Sequence, residues 1–123
     1  MIRERALKVV LVLVGLLFLA GLYPMTLFLM REPALAMMLS LYVTLGIFLL
    51  LATRNPSANR TLIAFTAWSS FAHAAVMAAQ AYQMASVRGH LLGGGAALVI
   101  IGVALIFLAP AKPSAERAAT SAA

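Results

Sequence analysis

The chain has 123 residues, of which 64% are hydrophobic and only 10% are charged, whereas soluble domains carry roughly 25% charged residues. A short water-soluble chain buries only about two-thirds of the surface that it exposes when unfolded, so it cannot hide this much apolar surface. The composition therefore excludes a soluble globular domain and indicates a single domain in lipid. The absence of cysteine from the sequence excludes a disulfide framework, thiolate metal sites and thiol catalysis.

Four apolar segments are long enough to cross a membrane as helices, which takes about 20 residues each. They cover residues 9–30, 34–53, 61–87 and 91–109, with short connections between them. Short connections make consecutive helices pack antiparallel. The sequence therefore predicts an all-α integral membrane protein, a four-helix up-down antiparallel bundle over residues 1–110. Residues 111–123 have no apolar periodicity and are predicted to form a disordered cytoplasmic tail.

Three prolines mark local breaks in these segments. Tyr23-Pro24 predicts a kink within the first span, and Pro33 suits the first turn of the second helix, where its missing N–H costs nothing. Asn55-Pro56 predicts a turn before the third span, with Ser57 or Asn59 available to cap that span.

The basic residues predict the orientation, because Lys and Arg beside membrane spans stay in the cytoplasm. Four spans put seven of them on one side, namely Arg3, Arg5, Lys8, Arg54, Arg60, Lys112 and Arg117, and two on the other, namely Arg31 and Arg88. Both termini are therefore predicted to be cytoplasmic, in a multi-pass protein of the bacterial inner membrane. Since the basic residues are scattered singly at helix ends, the net charge of +6 does not predict a nucleic-acid partner.

The third span carries a stripe of polar and methionine side chains. At 100° per residue they fall within about 40° of one line on the helix; they are Thr66, Ser70, His73, Met77, Gln80 and Met84. A polar side chain that faces lipid has no hydrogen-bond partner. We therefore expect the stripe to face the other helices or a wet cavity.

His73 lies near the middle of the third span, where an ionisable group is costly and is a functional candidate. In one interpretation its neutral imidazole donates to a carbonyl or hydroxyl oxygen and fixes the helix register. In the other, His73 with Ser70, Gln80 and Tyr42 binds a small hydrophobic ligand such as a quinone, or transfers a proton, in a pocket lined by the third span. The sequence predicts no metal site, because a site needs three or four ligands and the second histidine, His90, lies at the outer surface. It shows no set of catalytic residues and implies no cofactor.

The last span is nearly pure hydrocarbon and contains a glycine face. Gly95 and Gly102 are seven residues apart, and Gly93 ends a G-x-x-x-G spacing. Such glycines allow close helix contact, either within the bundle or with a second copy or a larger membrane complex through the Gly93, Gly95 and Gly102 face.

Several segments resemble a family of small bacterial four-span membrane proteins known as a domain of unknown function. They are Arg3-Glu4-Arg5-Ala6-Leu7, Tyr23-Pro24, Arg31-Glu32-Pro33, Arg54-Asn55-Pro56-Ser57 and Thr66-Ala67-Trp68-Ser69-Ser70-Phe71-Ala72-His73-Ala74. The resemblance covers residues 1–112 and implies a bacterial origin, with the segment from Trp68 to His73 as its focus. The chain is also distantly similar to DoxX-like four-helix membrane proteins, some of which are accessory subunits of quinone-linked oxidoreductases.

Together these features predict a non-enzymatic accessory or interaction protein whose surroundings are the lipid bilayer. The alternative is the pocket at His73, which binds a hydrophobic ligand or transfers a proton.

Overall fold

A computed structural model describes residues 2–110 of the chain. Between these residues the chain is helical and contains no strand. The helices are α1 (Ile2–Leu19), α2 (Leu22–Phe28), α3 (Pro33–Ala52), α4 (Arg60–Gln83) and α5 (Arg88–Leu108), with single 3₁₀ turns at Pro56–Asn59 and Ala85–Val87. The predicted cytoplasmic tail, residues 111–123, lies outside the described residues.

Four helical segments are long and apolar enough to cross a membrane, namely Ile2–Phe28, Pro33–Ala52, Pro56–Gln83 and Ala85–Leu108. The predicted all-α, four-span fold class is thereby confirmed. The helices begin before the predicted spans, because hydropathy marks the membrane boundary and backbone hydrogen bonding continues beyond it. They end before the predicted span ends, most clearly α4, which ends at Gln83 instead of residue 87 because the 3₁₀ turn Ala85–Val87 follows. The first helix begins at Ile2 instead of residue 9 and includes a Glu4–Lys8 ion pair of 3.5 Å, one turn apart.

The first span is interrupted between α1 and α2, four residues before Pro24. Proline has no N–H to donate to the carbonyl of the residue four positions earlier, and its ring crowds that carbonyl. The Ala20 carbonyl accepts instead from the N–H of Tyr23, at 3.3 Å, and the N–H of Gly21 donates to Phe18 at 3.0 Å. The break predicted from Tyr23-Pro24 is therefore present, and it falls at residues 20 and 21.

The described residues divide into two compact units, and the first contains α1, α2, α3, the Pro56–Asn59 turn and residues 109–110. In this unit α1 and α3 run antiparallel, with Gly15 opposite Gly46 and Phe18 opposite Tyr42. The buried side chains of α1 recur at alternating intervals of four and three residues, which is the spacing of one helix face. They are Leu7, Leu11, Val14 and Phe18.

One end of the first unit is held together by arginines. Arg3 donates from Nη2 to the carbonyl oxygen of Ala109 at 2.8 Å, and Arg60 donates from Nε to that of Pro110 at 3.0 Å. These carbonyls directly follow the last turn of α5, where the helix itself supplies no donors. The start of α1, the first residue of α4 and the segment after α5 therefore meet at one end of this unit.

The 3₁₀ turn before α4 is capped by Asn55. Asn55 accepts at Oδ1 from the N–H of Ala58 at 3.3 Å, and the amide of Asn59 donates back to the Asn55 carbonyl at 2.9 Å. Asn55 therefore caps the 3₁₀ turn that Pro56 begins. The cap of the third span at Ser57 or Asn59 stays a prediction, and Asn59 lies directly before α4.

The second unit consists of residues 61–108, that is, α4 from Thr61 onwards and α5, whereas Arg60 belongs to the first unit. Gly95 lies against Ala74 and Gly102 against Ala67 and Phe71, so the two helices run antiparallel. Arg88, at the start of α5, donates from Nε to the carbonyl oxygen of Ala81 at 2.9 Å. It thereby satisfies one of the carbonyls that the last turn of α4 leaves without an intrahelical partner.

Candidate functional site

The hydroxyl groups of α4 bond to the backbone of their own helix. Ser70 donates from Oγ to the carbonyl oxygen of Thr66 at 2.7 Å, and Thr66 donates from Oγ1 to that of Leu62 at 2.9 Å. Thr66 and Ser70 are 0% and 2% exposed. Bonds of this kind satisfy a hydroxyl without any ligand. Among the described residues, no buried side-chain nitrogen or oxygen lacks a partner.

His73, Ser70 and Gln80 lie along α4 with exposure that increases towards its end. Ser70 is buried, His73 is half-buried one turn later, and Gln80 is exposed about 10 Å further along the helix axis. The helix therefore puts His73 next to Ser70, and Gln80 lies two turns away, near the end of α4 at Gln83.

Tyr42, the fourth predicted ligand-binding residue, belongs to α3 in the first unit. It is half-buried, and its ring meets that of Phe18 edge-to-face, with the centroids 4.9 Å apart and the planes at 85°. Edge-to-face pairs of this kind contribute about 0.5–1.5 kcal/mol beyond the area they bury. This contact gives Tyr42 a packing role between α1 and α3.

The three glycines of the predicted face lie on different sides of α5. Gly95 and Gly102 are buried against α4, and Gly93 has no atom within 4 Å of where a Cβ would lie. Residues two apart on a helix point about 200° from each other, so Gly93 and Gly95 cannot share a face. Gly95 and Gly102 therefore serve the contact between α4 and α5.

No group of three or more metal-ligating side chains occurs in the part of the chain that the structure describes. His90, the second histidine, is exposed in the first turn of α5.

A groove that the sequence did not predict runs along α4 and α5, and we call it the α4–α5 groove. Its apolar section has a volume of about 180 Å³ and is lined by aliphatic residues and glycine, including Ala74, Ala78, Leu92, Gly95 and Val99. Its arginine section, of about 340 Å³, is lined by Ala78, Ala81, Tyr82, Arg88 and Leu92. The spacing of Ala74, Ala78 and Ala81 on one face of the third span is the sequence signal that could have revealed it.

Neither section of the groove is lined by His73. The groove is consequently a feature distinct from the predicted pocket at His73, and it lies wholly within the second unit.

Comparison with known proteins identifies one family. Its sequence profile matches residues 3–121, nearly the full chain, and its description is a family of unknown function, DUF6632. No curated protein and no solved structure matches the chain, and no match supports the similarity to DoxX-like proteins. The extent of the profile match settles the assignment, and the chain belongs to the DUF6632 family.

Proposed function

We propose that this protein is a non-enzymatic accessory or interaction protein of the bacterial inner membrane. The observation that carries the proposal is the hydrogen bonding of α4, where Ser69 and Ser70 both donate to the Thr66 carbonyl, at 3.2 and 2.7 Å. The hydroxyl groups of these two serines are thus engaged with the helix that carries them. What the protein offers to other molecules is its outer apolar surface.

Large aromatic side chains on that surface support an interaction role. Trp68 is 65% exposed and Phe107 is 75% exposed. The ring of Trp68 is held edge-to-face against Phe71, with the centroids 5.5 Å apart. A fixed and exposed aromatic side chain provides contact area with little loss of rotamer freedom, which is why such residues dominate the binding energy of interfaces.

Site-specific photocrosslinking in native membranes tests this role. A photoreactive phenylalanine analogue at Trp68 or Phe107 should give one adduct of constant mass with another protein. Leu105, which is 0% exposed and two residues from Phe107, is the matched control and should give none. The proposal fails if Trp68 and Phe107 yield only lipid adducts and the protein is recovered from mild detergent without another protein.

We also propose that both termini face the cytoplasm. The seven-to-two distribution of basic residues supports this orientation. The bonds from Arg3 to Ala109 and from Arg60 to Pro110 support the underlying topology, since they join at one end the segments that a four-span chain keeps on one side.

Cysteine labelling tests the orientation, because the natural chain has no cysteine. With a membrane-impermeant maleimide on spheroplasts, Gly89→Cys should react at once and Ser57→Cys only after lysis. Both positions are exposed, and a Cβ at Gly89 meets no atom within 4 Å. The reverse pattern would contradict the proposed orientation.

A second candidate function is the binding of a small hydrophobic ligand such as a quinone, or proton transfer, at His73. The observation in its favour is the place of His73, half-buried in the middle of α4 and one turn from buried Ser70. Ionisable groups at that depth are costly to keep in a membrane.

His73→Gln tests this candidate, because glutamine keeps a hydrogen-bond donor of similar reach. Quenching of Trp68 fluorescence by a soluble quinone analogue reports ligand binding, and Trp68 is the one tryptophan of the sequence. Loss of quenching with an unchanged melting temperature would support a ligand role. Unchanged quenching and unchanged proton flux in proteoliposomes would leave His73 with a packing role.

A further inference from the structure

We propose that the α4–α5 groove binds an anionic membrane lipid, with one acyl chain in the apolar section and the phosphate group held by Arg88. This site goes beyond the proposed accessory role and does not depend on it.

The apolar section suits hydrocarbon. Ala74, Ala78 and Gly95 leave space between the helices because their side chains end at Cβ or before it, and Leu92 and Val99 form the walls. This section of about 180 Å³ is open towards the outside of the hairpin, and no polar side chain lines it. In a membrane-spanning hairpin, an acyl chain is the molecule that fills such a space.

The two sections adjoin each other, because Ala78 and Leu92 line both. Along α5 the lining runs from Leu91 to Val99, which is about 12 Å at 1.5 Å per residue. One leaflet of the hydrocarbon core is roughly 15 Å deep. A chain lying in the groove would therefore follow α5 through most of one leaflet and reach Arg88 near the membrane surface.

Arg88 is held in position at the end of the groove. Its Nε donates to the Ala81 carbonyl oxygen at 2.9 Å, and its Nη2 makes a long contact of 3.5 Å with that of Tyr82. A guanidinium has five N–H donors, so donors remain for a ligand, and Arg88 is exposed. The planar group of arginine matches the two oxygens of a phosphate.

The second unit contains no acidic residue that could neutralise Arg88. Residues 61–108 include neither Asp nor Glu, and Arg88 is their one Lys or Arg. A lipid with a net negative charge would supply the missing counter-charge, whereas a zwitterionic lipid brings its own cation. The charge therefore favours an anionic headgroup, such as phosphatidylglycerol, over phosphatidylcholine.

Native mass spectrometry of the full chain released from detergent tests the headgroup. Wild-type protein should bind one phosphatidylglycerol about tenfold more tightly than phosphatidylcholine with the same acyl chains. Arg88→Gln should remove this preference. Arg31→Gln is the matched control, because Arg31 is also an exposed arginine in a connection between spans, and it should keep the preference.

A second pair of variants tests the acyl chain and does not disturb the arginine. Ala78→Leu puts a larger side chain into both sections of the groove and should lower phosphatidylglycerol binding at least fivefold. Ala79→Leu points about 100° away on α4 and should leave the affinity unchanged. Ala78 and Ala79 are both exposed, so neither substitution requires the core to repack.

Three results would overturn the proposal. One is an equal loss of binding in Arg88→Gln and Arg31→Gln, which would show general attraction of anionic lipid. Another is unchanged affinity in Ala78→Leu, which would show that no chain lies in the groove. The third is displacement of the lipid by millimolar inorganic phosphate, which would show a site for the anion alone.

Discussion

Gly46 of α3 lies directly against the backbone of Gly15 in α1. A Cβ added at Gly46 would be 2.7 Å from the Gly15 carbonyl oxygen, and one added at Gly15 would be 3.0 Å from the Gly46 carbonyl oxygen. Two backbones approach this closely only where both residues lack a side chain. This pair of glycines sets the distance between the first and second spans.

The first prediction concerns this crossing. Gly46→Ala should lower the free energy of unfolding in micelles by about 1–3 kcal/mol, the usual cost of overpacking. The cost is expected because the new methyl group meets backbone atoms, the Gly15 oxygen and the Leu19 nitrogen, which cannot turn away as a side chain does. The melting temperature in detergent measures it.

Gly95→Ala is the control for that measurement. Its Cβ would lie 3.7 Å from the Ala74 carbonyl oxygen, an ordinary van der Waals contact. We expect no loss of stability from this variant. If both alanine variants unfolded at the wild-type temperature, the Gly15–Gly46 crossing would not be a close contact in the folded protein.

The second prediction concerns Gly102 and Phe71 in the second unit. A Cβ at Gly102 would lie 2.6 Å from the Phe71 ring and 3.0 Å from the Ala67 carbonyl oxygen. Gly102→Ala alone should therefore destabilise the protein. Combined with Phe71→Ala it should cost less than the sum of the two single changes, because contacting residues are coupled by about 0.5–3 kcal/mol. Thermal unfolding of the wild type, the two single variants and the double variant measures this coupling. If the two single losses of stability simply add in the double variant, the contact is disproved.

The third prediction separates the hydroxyl of Ser70 from its volume. Ser70→Ala should change stability by about 0.6 kcal/mol or less, the average value of side-chain hydrogen bonds in membrane proteins. Ser70→Leu should cost about 1–3 kcal/mol by overpacking, since Ser70 is 2% exposed. Chemical denaturation measures the free energy of unfolding of both variants. A large loss of stability in Ser70→Ala would show that the hydroxyl has a partner beyond the Thr66 carbonyl.

The fourth prediction concerns the break between α1 and α2. Pro24→Ala restores an N–H that can donate to the Ala20 carbonyl and so make the first span continuous. Hydrogen exchange of the amides at residues 20–24 should become slower than in wild type. Pro33→Ala is the matched control, because Pro33 occupies the first turn of α3, where no intrahelical donor is needed. Unchanged exchange in Pro24→Ala would mean that another contact holds the break.

Sequence reasoning predicted the four spans and the interruption near Pro24 because both depend on local properties, the length of an apolar run and a missing N–H. The contact of Gly15 with Gly46 could not be predicted. It depends on which turn of α3 lies opposite which turn of α1. A glycine in a span can equally face open space, as Gly93 does. Whether a small residue packs or is exposed is decided by its angle around the helix and by the neighbouring helix.

The candidate site shows the same limit. The sequence pointed to Ser70 and His73 as one polar face, and α4 does carry them one turn apart. It could not show that the Ser70 hydroxyl bonds to its own helix, because that depends on a rotamer. Nor could it show the groove ending at Arg88, which requires the pairing of α4 with α5.

The arginine bonds at the end of the first unit also order the events of biosynthesis. Arg3 and Arg60 leave the ribosome long before Ala109 and Pro110, the residues whose carbonyls they bond. Chains are made from the N-terminus at about 5–20 residues per second. Neither bond can form until the fourth helix has been made and inserted, so a chain arrested after three helices still carries both guanidinium groups without these acceptors. Closure of this end therefore marks a fully inserted protein.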